Sequence, residues 1–446
     1  MHANRETWTH GERPELLTAV PGPRTYDLMG RLARVECRGI TWMGDDFPVF
    51  WERALGSNVW DVDGNRLVDL TAAFGVALAG HNHPHLVEAA TLQTRTLMHG
   101  MGDVHPPAAK VAFLERLQGI LPEGLGGAIL GLNGADAVEA SLKAAYLHTG
   151  RPGILAFEGG YHGLLGMSLA VNGAGRFREP FAPMLGDHAT FVPFPNAVGE
   201  DAPRILERIR GLLASPDAPG AVIVEPIQGR GGVVVPPAGF LSGLRDLCDG
   251  TRTVLILDEI FTGMGRTGAR FAMEREGILP DLLVLGKALA GGMPLSACVG
   301  TPEVMASWPR TTGEAIHTAT YLGHPVACAV GAAAIDVLEE EGLVERAQKL
   351  GDFAHERLSA LLHDVAQVGA IRGRGLMLGV PLLDAEGRPS HALASAVIRA
   401  ALRRGILILG SGSGGHVLSL TPAATIPEEL LDWSLERLAQ CIREQV

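Results

Sequence analysis

The sequence predicts an α/β protein with a large domain built on a mainly parallel sheet and a smaller α+β domain assembled from both chain ends. Its 446 residues exceed what one hydrophobic core organises. From about residue 105 to 340, helical patterns alternate with short, apolar, β-rich runs, which are typical of strands covered on both faces. We expect residues 1–65 to form an N-terminal arm and part of the small domain, residues 66–340 to form the large domain, and residues 341–446 to form the C-terminal small domain.

The N-terminal part contains one clear structural signal. Residues 1–30 have no regular pattern and predict an irregular arm. Residues 56–70 predict a hairpin, because two short strand patterns flank Asp63-Gly64, a dipeptide that favours a tight turn. We assign this hairpin to the small domain.

The large domain is predicted from alternating elements. A helix over 108–121 precedes a strand over 128–132 and a helix from about 135 to 149. The order of strands and helices implies right-handed crossovers between parallel strands. Further strands are predicted at 153–157, 221–225, 254–258 and 282–285, and a long helix from about 323 to 340.

The C-terminal part predicts the rest of the small domain. A helix over 343–363 comes first. Short strands at 376–380, 406–409 and 417–420 then alternate with helices at 392–403 and 427–442.

Composition narrows the classes of function. The net charge of -12 argues against a nucleic-acid partner, because phosphate binding needs a basic surface. The five cysteines are scattered without a C-x-x-C pair, which argues against a structural zinc site or a disulfide framework and for a reducing compartment. No run has the ~20 uninterrupted apolar residues of a membrane span, and residues 1–21 lack an apolar signal core. We therefore expect a cytoplasmic protein without a membrane partner.

Two charged residues follow the most apolar strand patterns. Asp258 ends the run T-V-L-I-L-D, and ligands in open α/β sheets bind at the carboxyl ends of the strands. A buried carboxylate there needs a cationic partner, which a protonated pyridine nitrogen would supply, although an aspartate that caps the next turn fits equally. Lys287 follows the run D-L-L-V-L-G, where an apolar setting disfavours its charge, as a Schiff-base amine requires. A lysine that extends to the surface is the alternative.

Two further motifs favour a flat, anionic ligand. The run N-G-A-D at 133–136 lies between a strand and a helix, so that Gly134 and Ala135 present free N–H groups at a helix N-terminus, an anion site suited to a phosphate. The same letters also fit a plain helix cap. Tyr161 and His162 follow another strand, and Tyr161 either stacks on a heteroaromatic ring or packs as a turn aromatic.

In combination these motifs resemble those of the class III, or ω-amino-acid type, aminotransferases, which have the type I fold of pyridoxal-phosphate enzymes. The resemblance extends from about residue 56 to 426, and the motifs occur in the family's order. It implies an aminotransferase (transaminase) that uses pyridoxal 5'-phosphate and has a mainly parallel sheet of the seven-stranded type in its large, cofactor-binding domain. The matching segments are G-A-D-A-V-E-A-S-L-K at 134–143, E-G-G-Y-H-G at 158–163, V-E-P-I-Q-G-R-G-G at 224–232, L-D-E-I-F-T-G-M-G-R-T-G at 257–268, L-G-K-A-L-A-G-G-M-P-L-S-A at 285–297 and H-T-A-T-Y-L-G-H-P at 317–325.

The resemblance also implies roles for individual residues. Lys287 resembles the Schiff-base lysine and Asp258 the partner of the pyridinium, so that both are implied as catalytic. A primary amine would replace Lys287 on the cofactor, the freed lysine would move a proton, and a carbonyl substrate would reverse the sequence. The resemblance implies that Gly134 and Ala135 contact the phosphate and that Tyr161 and Ile260 contact the two ring faces. His162 is implied next to Tyr161, and Glu225 is implied as an acid behind the residues that contact the cofactor directly. Thr320 resembles a threonine that reaches the phosphate from the neighbouring subunit. The role of Thr320 implies a homodimer with active sites at the interface.

The sequence departs from the family at the expected substrate contacts. Ser419 stands where many relatives have an arginine that holds an α-carboxylate, and Arg230 stands where relatives such as ornithine aminotransferases have a gating glutamate. Without the arginine clamp, the sequence favours a substrate that lacks an α-carboxylate, such as an amine or an amino sugar. Arg230 is either a new anion-binding residue or a solvent-facing loop residue. Phe261 replaces a glutamine that in some relatives contacts the ring hydroxyl of the cofactor.

The segment 98–106, M-H-G-M-G-D-V-H-P, is distinctive. It precedes the first large-domain helix, where relatives approach the active site of the partner. Asp103 is therefore a candidate to receive a cationic amine or an amino sugar, and a structural turn at the interface is the alternative.

Competing functions remain open. An aminotransferase is the first hypothesis, and the Ser419 departure motivates an alternative, an aminomutase, an epimerase or an eliminating lyase with the same cofactor. The presence of Lys287 and Asp258 disfavours a non-enzymatic binding module. The G-x-G-x-x-G runs at 263–268 and 410–415 lack the strand–turn–helix order of a dinucleotide site. We expect no metal, because the histidines at 81–85 have no acidic or thiol cluster beside them.

Overall fold

The computed structural model describes residues 10–196 and 201–446. Residues 1–9 of the predicted arm lie outside these ranges. The fourteen α-helical segments of the described ranges are α1 Pro23–Val35, α2 Ala72–Gly75, α3 Pro84–Thr96, α4 Ala108–Ile120, α5 Gly134–Thr149, α6 Gly166–Ala170, α7 Gly175–Arg178, α8 Ala202–Leu213, α9 Phe240–Thr251, α10 Pro302–Met305, α11 Pro325–Glu340, α12 Leu343–Leu362, α13 His391–Leu402 and α14 Glu428–Arg443.

The strands form three sheets. In the described ranges they are β1 Trp51–Leu55, β2 Asn58–Asp61, β3 Arg66–Asp69, β4 Gly126–Gly131, β5 Ile154–Phe157, β6 Ala189–Val192, β7 Ala221–Val224, β8 Val254–Asp258, β9 Leu282–Leu285, β10 Ser296–Gly300, β11 Arg372–Arg374, β12 Met377–Pro381, β13 Ile406–Leu407, β14 Leu409–Ser411 and β15 Val417–Leu420. Short 3₁₀ helices lie at Glu179–Met184, Ala272–Glu276 and Lys287–Ala290.

The central sheet has seven strands in the order β4-β10-β9-β8-β7-β5-β6. Strands β9, β8, β7, β5 and β6 are parallel, whereas β10 is antiparallel to both β9 and β4. Every residue of β7, β8, β9 and β10 is buried, as expected for apolar strands covered on both faces. The predicted α/β fold with a mainly parallel sheet is confirmed.

Strand β10 was not among the predicted strands. Its sequence, S-A-C-V-G, is short and built from small residues, so its strand pattern is weak. It reverses direction because only about ten residues separate it from β9, and a parallel crossover needs a dozen or more.

The N-terminal hairpin pairs β2 with β3 as predicted, and a C-terminal strand completes its sheet. Strand β13 lies parallel to β3, with Ile406 opposite Val68. The predicted strand over 406–409 is therefore wrong in one respect, because it divides into β13 in this sheet and β14 in the sheet β11-β12-β15-β14. The domain boundaries at 65/66 and 340/341 stay a prediction, and β2 and β3 pair across the first of them.

The prediction of an irregular arm up to residue 30 is wrong from residue 23 onward, where α1 begins. The reason is a tertiary contact. The carboxylate of Asp63, in the hairpin turn, accepts hydrogen bonds from the backbone N–H groups of Arg24 and Thr25 at 2.7 and 3.0 Å. Gly22, which precedes the helix, provides no side-chain cap, so Pro23 at the first helical position is the local sign of this helix start.

A buried arginine connects the central sheet to the C-terminal region. The guanidinium of Arg266 is fully buried and donates to the backbone carbonyls of Gly75, Leu376 and Pro422. Burial lowers the pKa of Arg266 to about 9. Within the described ranges, no helix is both long enough and apolar enough to span a membrane.

Candidate active site

A cavity of about 750 Å³ lies at the carboxyl ends of the central parallel strands, where open α/β sheets bind ligands. Strands β5, β7, β8 and β9 each deliver functional side chains to it at or just after their last residue. The predicted residues that line it are Gly134, Ala135, Tyr161, His162, Glu225, Arg230, Asp258, Ile260, Lys287 and Ser419.

Lys287 follows the end of β9 by two residues and begins the 3₁₀ helix Lys287–Ala290. Its backbone has a positive φ of 47°, a strained conformation for a residue with a side chain. Its Nζ lies 4.1 Å from the ring centroid of Phe261. Burial lowers the pKa of Lys287 to about 8, while Asp258 and Glu225 raise it, so that roughly a tenth of the amine is neutral at pH 7.

Asp258 ends β8 and is 3% exposed. One of its oxygens, Oδ2, lies 2.8 Å from Nδ1 of His162, and the other accepts the backbone N–H of Ile260 at 3.1 Å. His162 is itself buried, and its Nε2 has no hydrogen-bond partner among the described residues. The carboxylate is thus held in a fixed orientation at the cavity wall.

Glu225 connects two loops beside the cavity. Its carboxylate accepts the backbone N–H of Tyr161 at 2.8 Å and that of Gly229 at 2.9 Å. Burial raises the pKa of Glu225 to about 7, because both hydrogen bonds only partly offset its desolvation. The side chain fixes the positions of Tyr161 and of the loop that carries Arg230.

The N-terminus of α5 forms another wall. Asn133 and Asp136 form a capping box, and Ser296 donates to the carbonyl of Asn133 at 2.6 Å. The first N–H groups of a helix have no intrahelical acceptor, so those of Gly134 and Ala135 are available to a ligand. A Cβ at Gly134 would lie 2.7 Å from Cδ1 of Ile260, so a side chain there would have to displace Ile260 at the cavity wall.

Two predicted residues lie elsewhere. Asp103 accepts a hydrogen bond from the Thr318 hydroxyl at 2.7 Å, which lowers its pKa. Thr320 is exposed, two residues further along the same segment. Neither Asp103 nor Thr320 lines the cavity of its own chain, so their predicted roles depend on a second subunit.

Some lining residues were not predicted as contacts. The ring of Phe261 fits between Gly75 and Gly229, because a Cβ at either glycine would lie 2.4 Å from a ring carbon. Phe74 is 57% exposed, and it lines the cavity from a turn in which three consecutive non-glycine residues have positive φ. For Phe261, the sequence did contain a signal, the replacement of a family glutamine by phenylalanine. For Phe74 it contained none, because the position of this side chain depends on an unusual backbone conformation.

The residues at the cavity fit the pyridoxal phosphate that the sequence resemblance implies. Among the side chains that the structure describes, the buried carboxylate of Asp258 is paired with His162, and its position suits a ring N–H. The glycine-restricted N-terminus of α5 suits a phosphate. Within residues 10–196 and 201–446, no three His, Cys, Asp or Glu side chains are grouped as in a metal site.

The comparisons with known proteins agree with this geometry. The family model for class III aminotransferases matches residues 41–442. A 4-aminobutyrate aminotransferase from Mycobacterium leprae is 36% identical, over 96% of this chain and 98% of the relative. An alanine/serine racemase from Pyrococcus horikoshii is 33% identical, over 97% of this chain and 93% of the relative. Among solved structures, a PLP-bound amine transaminase from an uncultivated Pseudomonas species has a TM-score of 0.83 and 28% identity, over 91% of this chain and 99% of that chain.

Proposed function

The chain belongs to the class III aminotransferases, and on that premise we propose that Lys287 is the residue through which it binds its cofactor and exchanges amino groups. The chain is a pyridoxal-phosphate-dependent aminotransferase that acts on small-molecule amines and carbonyl compounds. The residue assignment is supported by one observation above all. Lys287, Asp258 and the N-terminus of α5 line the same cavity.

The proposed roles follow from the environment of each side chain. Pyridoxal phosphate, when bound, supplies an aldehyde carbon and a pyridinium ring that accepts electrons from the substrate. Lys287 would hold the aldehyde carbon of the cofactor through its neutral amine, a form that its lowered pKa makes accessible near neutrality. Asp258 keeps the ring nitrogen protonated, and His162 holds Asp258 in place. Gly134 and Ala135 bind the phosphate, and Tyr161 and Ile260 contact the ring faces.

Lys287 is also the group that moves the proton. Its amine lines the cavity beside the ring of Phe261, where it would take up and return a proton at the substrate carbon while it is not bonded to the cofactor. Glu225 has no direct part in this transfer in our proposal. It holds the backbone of Tyr161 and Gly229, and thereby the shape of the cavity.

A homodimer with active sites at the interface is part of the proposal. The segment that contains Asp103 exposes apolar side chains, with Met98, Met101 and Val104 at 63%, 53% and 60% exposure. It packs against the segment of Thr320 through the hydrogen bond from Thr318. Apolar surface of this kind supports burial against a second subunit, which would bring Thr320 to the phosphate of the partner site.

A cytoplasmic location is supported by the free state of the cysteines.

The racemase relative favours a second candidate function. Ser419 lines the cavity on β15, half-buried, where it offers no cation for an α-carboxylate. Epimerisation, or another isomerisation or elimination, needs no second carbonyl substrate. The two candidates therefore differ in whether turnover requires one.

The chain contains only four lysines, Lys110, Lys143, Lys287 and Lys349. The lysine that binds the cofactor can therefore be identified unambiguously. Reduction of the purified holoenzyme with borohydride, followed by proteolysis and mass spectrometry, is expected to place the cofactor on Lys287. The Lys287→Arg variant should carry none. An adduct on any other lysine would contradict the assignment.

The reaction class is tested on the same holoenzyme. A donor amine alone should convert the cofactor to its amine form, which an oxo acid or an aldehyde should reverse, as followed by the visible absorption band. Steady turnover of a chiral amine or amino acid without any carbonyl compound would favour the second candidate instead.

A further inference from the structure

We propose that Arg230, whose guanidinium lies against the rings of Tyr161 and Phe177, binds an anionic group of the substrate, a carboxylate remote from the reacting nitrogen, and so determines which amines and carbonyl compounds the enzyme accepts. This inference rests on the proposed function, since it concerns the substrate of the same cavity. It assigns the binding of a carboxylate to Arg230, because Ser419 has no positive charge.

The guanidinium of Arg230 is partly buried and lacks an acidic partner. Its Nε is buried without a hydrogen-bond acceptor. No carboxylate in the described ranges forms an ion pair with it. A buried donor without an acceptor is unfavourable, and a ligand oxygen would satisfy it.

The local charge also favours an anion. A second cation, Arg176, contacts the same ring, with its guanidinium carbon 4.7 Å from the ring centroid of Phe177. It also has no ion pair among the residues that the structure describes. Burial lowers the pKa of Arg230, and the charge of Arg176 lowers it further. Two like charges without a counter-ion repel each other, and a bound carboxylate would neutralise that repulsion.

The side chain is held by its surroundings. The guanidinium carbon lies 5.7 Å from the ring centroid of Tyr161 and 5.6 Å from that of Phe177, within the range of cation–π attraction. The two rings meet edge to face at 5.6 Å. The backbone carbonyl of Arg230 accepts the N–H of Gly412 at 2.9 Å. A preorganised guanidinium of this kind binds a carboxylate without first losing side-chain freedom.

The position of Arg230 relative to the reacting centre defines the substrate. The lysine and arginine side chains that line the cavity are Lys287 and Arg230, and the carboxyl groups that line it belong to Asp258 and Glu225. In the proposed function Lys287 and Asp258 bind the cofactor. Arg230 is therefore the lining cation that is available to bind a substrate anion. It is close enough to Lys287 to lower the pKa of that lysine. A molecule with an amine at one end and a carboxylate at the other therefore fits between them.

The test compares donors that differ only in the carboxylate. Straight-chain ω-amino acids from β-alanine upward are each paired with the n-alkylamine of the same chain length, and kcat/KM is measured for every donor. We expect the wild-type enzyme to prefer the amino acids, with an optimum chain length, by about ten- to a hundredfold. Arg230→Gln should lose this preference, because kcat/KM should fall much further for the amino acids than for the alkylamines. Arg230→Lys, which keeps the charge but not the planar fork, should lie between the two.

A binding measurement separates this inference from the proposed function. Butyrate and glutarate, which have no amino group, are titrated calorimetrically into the holoenzyme. Arg230→Gln should weaken their binding by about the same factor, whereas Arg210→Gln, on the surface of α8, should bind them as the wild type does. Circular dichroism and cofactor content establish that each variant is folded and loaded.

Three outcomes would overturn the inference. One is an equal loss for amino acids and alkylamines in Arg230→Gln, which would mean a positioning role. Another is an undiminished preference for amino acids together with unchanged butyrate and glutarate binding. The third is a lower affinity for pyridoxal phosphate with no change toward carboxylates, which would place Arg230 at the cofactor phosphate. If no donor reacts even with the wild type, the proposed function fails, and the titrations still decide the role of Arg230.

Discussion

Lys287 has a neutral form near physiological pH because it is buried, and this has a measurable consequence for cofactor uptake. Since only the neutral amine attacks an aldehyde, the rate at which the apoenzyme binds pyridoxal phosphate should rise about tenfold per pH unit below a pKa of about 8 and level off above it. The lysine is protonated below that pKa, so the sign is an increase with pH. The ring of Phe261, 4.1 Å away, favours the ammonium form.

Phe261→Leu should therefore move the uptake profile to lower pH. Loss of a cation–π contact worth about 0.5–2 kcal/mol corresponds to a decrease of about 0.4–1.5 units in the pKa of Lys287. Because the chain has four lysines, the apoenzyme can be labelled by reductive ¹³C-methylation and the resonance of Lys287 titrated directly. Phe74→Leu, which removes a phenylalanine from the same cavity, is the matched control and should leave the pKa unchanged. An unchanged or higher pKa in Phe261→Leu would contradict the contact.

Glu225 and Glu259 show the same effect of burial with the opposite sign. Burial raises the pKa of each carboxyl to about 7, although backbone N–H groups donate to both. The folded protein therefore binds more protons than the unfolded chain between pH 4.5 and about 7. Over that window these two residues lower the free energy of unfolding as the pH rises.

At the scale of elements, the turn α2 carries the clearest backbone strain. Ala72, Ala73 and Phe74 have φ angles of 41°, 49° and 62°, followed by Gly75 at 79°. Each left-handed residue with a side chain costs roughly 1–2 kcal/mol. The turn is held by Asp69, whose carboxylate accepts the N–H groups of Thr71 and Ala73, and by the bond from Arg266 to Gly75.

Ala73→Gly should accordingly stabilise the protein. The substitution removes the left-handed penalty of a Cβ and should raise the free energy of unfolding by about 1 kcal/mol. Chemical denaturation of the two proteins measures the difference. Ala89→Gly, in the regular helix α3, is the control and should lower stability by a similar amount. A loss of stability in Ala73→Gly would show that the turn does not have this conformation in solution.

The elements that the sequence predicted well are those with a strong local pattern. Strands β8 and β9 were predicted with their observed bounds, because each is a continuous apolar run. Helix α1 was missed because its N–H groups are capped by Asp63, far away in sequence. The same distinction holds at the candidate site. Motifs placed Lys287 and Asp258 beside the sheet. The contact between Arg230 and Phe177 joins a loop to helix α7, and no local sequence pattern predicts such a contact.

At the scale of the whole molecule, the proposed dimer makes a prediction about Thr320. A heterodimer is assembled from one Lys287→Ala subunit and one Thr320→Ala subunit, purified by two affinity tags. If Thr320 acts on the partner site, the one site that retains Lys287 also receives an intact Thr320 from the other chain. That site should bind pyridoxal phosphate with wild-type affinity, whereas the Thr320→Ala homodimer binds it more weakly, as read by fluorescence titration.

The converse result is equally clear. If Thr320 serves its own chain, the only site with Lys287 lacks the threonine, and the heterodimer binds as weakly as the Thr320→Ala homodimer. Sedimentation of the wild type at several concentrations tests the dimer independently, and a monomer at all of them would contradict it.

Arg266 restricts how this molecule can move during turnover. Its three carbonyl acceptors come from the turn beside the cavity, from the start of β12 and from the segment after β15. Separating any one of them would leave part of a dehydrated cation without an acceptor, at a cost of several kcal/mol. A rotation of the C-terminal region against the central sheet must therefore have its axis close to this guanidinium. Substrates of different length are then accommodated by loops at the rim, while the floor of the cavity keeps its shape.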